Sequence, residues 1–153
     1  MGQKIGRIIV LDGTAASGRA ALAAAVQDQA PTPWVRIGFD ALCEAGIIPW
    51  RRFERKELDW SAHRDSIVTG WHLAVTAFVS AGNDVIVEHT LDTPTLRDGV
   101  RQLWDGADVR WVKVRAAADD APADGGMSYD LEIEGGAPVA EAARAVLALF
   151  EGA

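Results

Sequence analysis

The sequence predicts a three-layer α/β fold, a mainly parallel sheet of about five strands with helices on both faces. Three features point that way. Short runs such as "RIIVL" and "DVIV" are continuous β-branched stretches of the kind that suit parallel strands covered on both faces. Longer alanine-rich or amphipathic stretches separate them, so strands and helices alternate as in βαβ units. The 153 residues suffice for one such domain, expected to span residues 1–153 without internal repeat.

Residues 7–11 form the first expected strand, and the alanine-rich residues 19–29 the first helix. Residues 34–37 ("WVRI") make a short second strand. Residues 46–62 resist assignment, because Trp50, Phe53 and Trp60 stand among many charges; they read as a long loop or a short helical excursion. The helix expected over 65–81 places Ile67, Val68, Trp71, Val75 and Phe78 on one buried stripe. Gly82-Asn83 stops it ahead of a third strand at 84–87. The next helix, 93–104, opens with Thr93 as N-cap and Pro94 at the first position. Alternation marks a fourth strand at 109–114 ("VRWVKV") and a fifth at 129–133 ("YDLEI"), read as an edge strand. Between them, "AAADDAPADGG" at 116–126 is small, acidic and glycine-rich, a flexible connection. An amphipathic helix over 137–151 closes the chain.

The bulk properties narrow the function. Hydrophobic residues make up 49% and charged residues 24%, values of a globular chain without a disorder signature. A net charge of −7 argues against a nucleic-acid partner, whose phosphates need clustered Lys and Arg. The one basic cluster, from Arg51 to Lys56, is broken by Glu54 and followed by Glu57 and Asp59, so it reads as a solvated face. The single cysteine, Cys43, excludes an internal disulfide and reads as a small buried thiol. No apolar run approaches the ~20 residues of a membrane span, and the N-terminus runs straight into a strand. A soluble, cytoplasmic protein with no membrane partner is expected.

Between the first strand and helix lies "GTAASGRA", with the glycine spacing of a phosphate-binding loop, G-x-x-x-x-G-K-[ST]. In a working loop the glycines let backbone N–H groups wrap the phosphates, and the following helix adds its positive end. Lysine reaches the β and γ phosphates, and the hydroxyl ligates Mg²⁺. Here strand, glycines and helix are in place, but Arg19 stands where lysine belongs and Ala20 where the hydroxyl belongs. Arg19 keeps the positive charge in a planar fork, which can grip an anion but not from the same place.

The blocks "IIVLDGTAASGRAALAAAVQ", "PWVRIGFDAL", "AGNDVIVEHTLDTPTLRD", "VRWVKVR" and "YDLEIEG", in that order, resemble the chloramphenicol phosphotransferase-like family of small P-loop kinases. The resemblance implies a P-loop-kinase-like fold and transfer of the γ-phosphate of ATP, with Mg²⁺, to a hydroxyl of a small molecule. It also implies a general base at Asp40, in the family's G-x-D block, and matches the family's acidic pair to Glu88-His89. Loop lysine, metal hydroxyl and the arginine-bearing lid are all changed, the last to the acidic segment at 116–126, with Arg115 the nearest arginine. Losing one preorganised group costs ~10²–10³ in rate, and losing three is hard to reconcile with kinase turnover.

Open α/β sheets bind ligands beyond the carboxyl ends of their strands. There Asp12, Arg19, Asp40, Glu88 and His89 are expected to gather with the loop residues Gly13, Ser17 and Gly18, and Asp92 nearby. A carboxylate, an imidazole and a guanidinium in one pocket make an acid–base set. Each also has a structural alternative: Asp40 as the N-cap of the helix after it, Glu88 and His89 as loop contacts. His72, alone on the long helix, and His63 read as structural, and no two histidines have metal-ligand spacing, so no metal site is expected. Trp71, Trp104 and Trp111 face the core; Trp50 and Trp60 wall an aromatic or hydrophobic substrate site, or pack on their own helix or on a second copy in a homodimer.

Three functional classes follow. The first is a kinase-derived enzyme that has lost ATP-dependent transfer and uses the old acceptor pocket for acid–base chemistry (elimination, cyclisation, isomerisation or hydrolysis), as in natural-product tailoring, on an anionic or aromatic small molecule and with no cofactor. The second is an active phosphotransferase using ATP and Mg²⁺, with Arg19 in place of lysine. The third is a non-catalytic ligand-binding or regulatory protein.

Overall fold

The β-branched runs become one sheet. A computed structural model, which describes residues 2, 4–116 and 128–151, has β1 at Arg7–Asp12, β2 at Trp34–Arg36, β3 at Asp84–His89, β4 at Asp108–Val114 and β5 at Leu131–Ile133. Their order is β2-β3-β1-β4-β5, with every pairing parallel. The expected edge position of the fifth strand is therefore met. Helices α1 (Arg19–Gln29), α2 (Phe39–Glu44), α3 (Trp50–Glu54), α4 (Trp60–Ser80), α5 (Pro94–Leu103) and α6 (Val139–Ala148) complete the chain.

The period-2 alternation of β1 divides the core into two layers. Ile8 and Val10 pack with Trp71, Val75 and Val79 of α4 and Val100 of α5. Ile9 and Leu11, on the other face, pack with Leu22 and Val26 of α1 and Ala143 and Val146 of α6. Ile8 through Leu11 are wholly buried, each contributing about 1.5–3 kcal/mol of hydrophobic stabilisation. A central strand covered by helices on both sides is why this run shows no polar alternation.

One expectation needs correction. Phe78 is exposed, and Val79 takes the buried place beside Val75, because the stripe of α4 follows Trp71, Val75 and Val79 at helical spacing. For residues 46–62, of the two readings, the helical excursion is the one found. They hold α3 and the first turn of α4, which Asp59 caps by accepting from the Ser61 amide at 3.1 Å. From residue 117 onward, the connection read at 116–126 lies outside the described residues. Among the described residues no helix is long and apolar enough to cross a membrane.

Trp71 ties the layers together near the strand ends. Its indole Nε1–H donates to the Ile37 carbonyl at 2.8 Å, holding the exit of β2 against α4. Replacing it by phenylalanine keeps an aromatic ring but strands a buried acceptor, which costs about 1–3 kcal/mol. We expect Trp71→Phe to lower the urea midpoint by that much with an unchanged m-value.

Candidate functional site

Because all strands run the same way, β1, β2 and β3 deliver their last residues to one end of the sheet, next to the loop before α1. The register pairs Leu11 with Glu88 and Asp12 with His89. Alternation then sends His89 to the α4–α5 face, like Val85 and Val87, and Glu88 to the opposite face.

The loop keeps its turn. Gly18 is left-handed at φ 85°, which suits glycine, and opens α1. A Cβ on Gly13 would stand 2.6 Å from both the Ser17 hydroxyl and the Val114 carbonyl oxygen, so no larger residue fits there. The Ser17 hydroxyl donates to the Thr14 carbonyl at 2.6 Å and is spent inside the loop.

Arg19 does not reach outward. Its side chain is buried and turns back under the loop, with Nη1 donating to the Gly13 carbonyl, to the His89 carbonyl at 2.8 Å and to the Thr90 hydroxyl at 2.7 Å. Nη2 donates to Asp40 Oδ2 at 3.0 Å, an ion pair between the loop and α2. The expectation of an anion-gripping arginine is corrected by this geometry, since one planar fork meets four protein oxygens.

Asp40 is not an N-cap. Gly38 holds that position, and Asp40 sits in the first turn of α2 with its carboxylate half exposed. Asp12 also departs from expectation. It is buried and structural, accepting from the Leu91 amide at 2.9 Å and the Tyr129 hydroxyl at 2.5 Å. Glu88 is held by Arg36 Nε at 2.5 Å, in a place kept open by Gly38, where a Cβ would press on the Glu88 side chain at 3.2–3.3 Å.

His72 is not alone. Its Nε2 lies 2.9 Å from His89 Nε2, and both rings are buried beside Trp71. Burial pushes both imidazoles down to about 4, with repulsion from His72 adding to the effect on His89. At neutral pH the pair is therefore uncharged, one ring donating to the other. His89 Nδ1 is buried with no hydrogen-bond partner among the described residues. The Cys43 thiol, half-buried in α2, is pushed up to about 11 by burial first and by Asp40 next, the reverse of what a nucleophile needs.

These residues enclose a pocket of about 160 Å³. Arg19, Asp40, Glu88, His89 and Asp92, all expected from the sequence, line it with Thr90 and Arg64. Phe39, Trp60, Trp71, Val68 and Leu96 supply the apolar wall. Trp50 is outside. It stacks edge-on behind Trp60 at 5.0 Å and supports it, while Gly18 and Ser17 line a separate cavity between α1 and α6. Arg36, Phe39, Arg64, Thr90 and the His72 contact escaped sequence reading. Only Phe39 carried a signal, inside "GFD".

A family model described as chloramphenicol phosphotransferase-like protein matches residues 6–124. The chain belongs to the chloramphenicol phosphotransferase-like family. No curated protein sequence matches it significantly. Among solved structures it is similar to a cysteine-to-alanine mutant of the Mycobacterium tuberculosis APS kinase CysC, with TM-score 0.72 and 19% identity over 97% of this chain and 99% of that one. It is also similar to a gluconokinase from Sinorhizobium meliloti (TM-score 0.60, 17% identity, 95% and 91% covered) and to a hexameric APS kinase from Thiobacillus denitrificans (TM-score 0.66, 18% identity, 95% and 28% covered). These likenesses establish a P-loop-kinase fold, the scaffold of small-molecule kinases.

Two measurements test the family site as built here. Arg19→Met should cost about 2–4 kcal/mol in urea unfolding, because it removes the charged donor shared by the Gly13 and His89 carbonyls, the Thr90 hydroxyl and Asp40; an unchanged midpoint would show the guanidinium idle. The histidine pair makes stability depend on pH. The unfolded chain takes up protons near 6.5 and the folded pair only near 4, so its stabilising effect is complete above 6.5 and is lost as pH falls toward 4. We expect Tm to drop between pH 7 and pH 5, and to drop less in His72→Gln.

Proposed function

We propose that the chain binds a small molecule in the acceptor-side pocket and performs an acid–base step on it with Asp40 as base, without transferring phosphate from ATP. The observation that carries this reading is the inward Arg19. A guanidinium already donating to the Gly13, His89 and Thr90 oxygens and to Asp40 has both Nη atoms engaged by the protein before any triphosphate arrives. Ala20 and Ala21 offer no oxygen to a metal. The side chains at the loop thus do not fit a magnesium–triphosphate.

On the acceptor side the groups remain. Asp40 keeps one carboxylate oxygen beyond its pair with Arg19, in the first turn of α2 where the helix dipole favours negative charge. That oxygen can accept a proton from a hydroxyl or an acidic C–H of a molecule lying against Phe39, Trp60 and Trp71. Asp92 and Arg64 stand at the same pocket to hold polar substituents. Glu88 is locked to Arg36, and the buried histidines are neutral walls at pH 7.

An active phosphotransferase is the second reading, favoured by family membership and by the retained turn at Gly13 and Gly18. Calorimetric titration with ATP and Mg²⁺ separates the two. We expect no binding tighter than millimolar; tight, Mg²⁺-dependent binding would establish the phosphotransferase instead. In a mass-spectrometric turnover screen of metabolite mixtures, Asp40→Asn should lower conversion by ~10²–10⁴ while Arg19 retains an acceptor and the fold its Tm. Undiminished conversion removes Asp40 from the mechanism.

A further inference from the structure

Beside the pocket, α4 and α5 leave a larger cleft of about 450 Å³. It is not a separate feature, because Arg64, Val68 and Leu96 line both spaces. Beyond that joint the walls turn apolar. Val100 forms the floor, and Leu73 and Leu103 remain 53% and 39% exposed on the sides, large side chains the folded core leaves uncovered. Asp65, His72 and three threonines are its polar marks.

Gly99, inside α5, also lines this cleft. Its backbone is not left-handed, and a Cβ built on it would meet nothing within 4 Å. Neither conformation nor packing requires glycine there, and glycine inside a helix is less stable than alanine. What its small size does accomplish is to keep the cleft wide in mid-course.

We propose that the cleft is the second half of the ligand site: the molecule bound in the pocket is amphipathic, with a hydroxyl-bearing head at Asp40 and an aliphatic tail laid between α4 and α5. This rests on the reading of the pocket as a small-molecule site. The head is a donor because the carboxylates of Asp40 and Asp92 face it and Glu88 is already paired. The tail is aliphatic because continuity through Val68 and Leu96 leads directly to the uncovered Leu73 and Leu103, over a floor of Val100. Gly99 sets how wide a tail the cleft admits.

The test uses straight-chain 1-alkanols from butanol to octanol, titrated against tryptophan fluorescence, since Trp60 and Trp71 line the pocket. Each methylene that enters the cleft should tighten binding roughly fourfold, the equivalent of ~0.8 kcal/mol per buried CH₂. The ratio of octanol to butanol affinity then reaches on the order of 10² and should fall at least tenfold in Gly99→Leu, whose side chain fills the cleft from a helix that gains propensity. Leu103→Lys, at an already exposed position, should reduce the same ratio. An equal ratio in wild type and both variants, or no tightening with length, overturns the tail site. Failure of the underlying reading is distinct: butanol would bind as well to Asp40→Asn as to wild type, whatever the chain-length dependence.

Discussion

The buried guanidinium of Arg19 ties together three segments that lie far apart in sequence: the loop at Gly13, the end of β3 at His89 and Thr90, and the first turn of α2 at Asp40. Burying an unpaired cation costs several kcal/mol, so such a group persists only where most of its donors are matched. Here the matches are three neutral oxygens and one carboxylate. Each acceptor is therefore fixed relative to the others, and the pocket inherits its shape from that fixation. A lysine could not make the same bridge. Its ammonium is a point donor on a flexible stem, without the planar fork that serves the loop and α2 at once.

The same arrangement sorts the titratable groups by availability. Glu88 is drawn to Arg36, Asp12 is absorbed by the Leu91 amide and the Tyr129 hydroxyl, and His89 is buried against His72. What remains half exposed at the pocket is Asp40, already oriented through one oxygen. Preorganisation of this kind holds the carboxylate in place without a dedicated relay, because its position is set by the protein itself.

The sheet was legible in the sequence because its signals are local: β-branched runs, a glycine stop at Gly82, a Thr93-Pro94 start. Membership of the pocket was legible for the same reason, as Asp40, Glu88, His89 and Asp92 sit at or just after strand ends. Their roles were not. Arg36 finds Glu88 across two paired strands, and His72 finds His89 only because β3 alternation turns His89 toward α4. For residues 46–62 the helical excursion was legible but its packing was not, because the aromatic rings satisfy no period within one helix; Trp50, Phe53 and Trp60 pack on one another across α3 and α4, and Trp50 and Trp60 on Phe39 of α2. Tertiary contacts of this sort leave no trace in spacing.

A phosphate-loop spacing with Arg19 and Ala20 at the lysine and hydroxyl positions raises the question of what the turn supports. The contacts answer it. The Gly13 amide donates to the His89 carbonyl at 3.0 Å, and the Gly13 carbonyl receives both Arg19 and the Thr90 hydroxyl, the latter at 2.9 Å. Gly13 is also pressed so closely against Val114 that only glycine fits. The turn thus buttresses the end of β3, the strand that carries Glu88 and His89 into the pocket. The backbone of the turn, closed by Arg19 and by the Thr90 hydroxyl, therefore supports the pocket independently of whatever the loop binds.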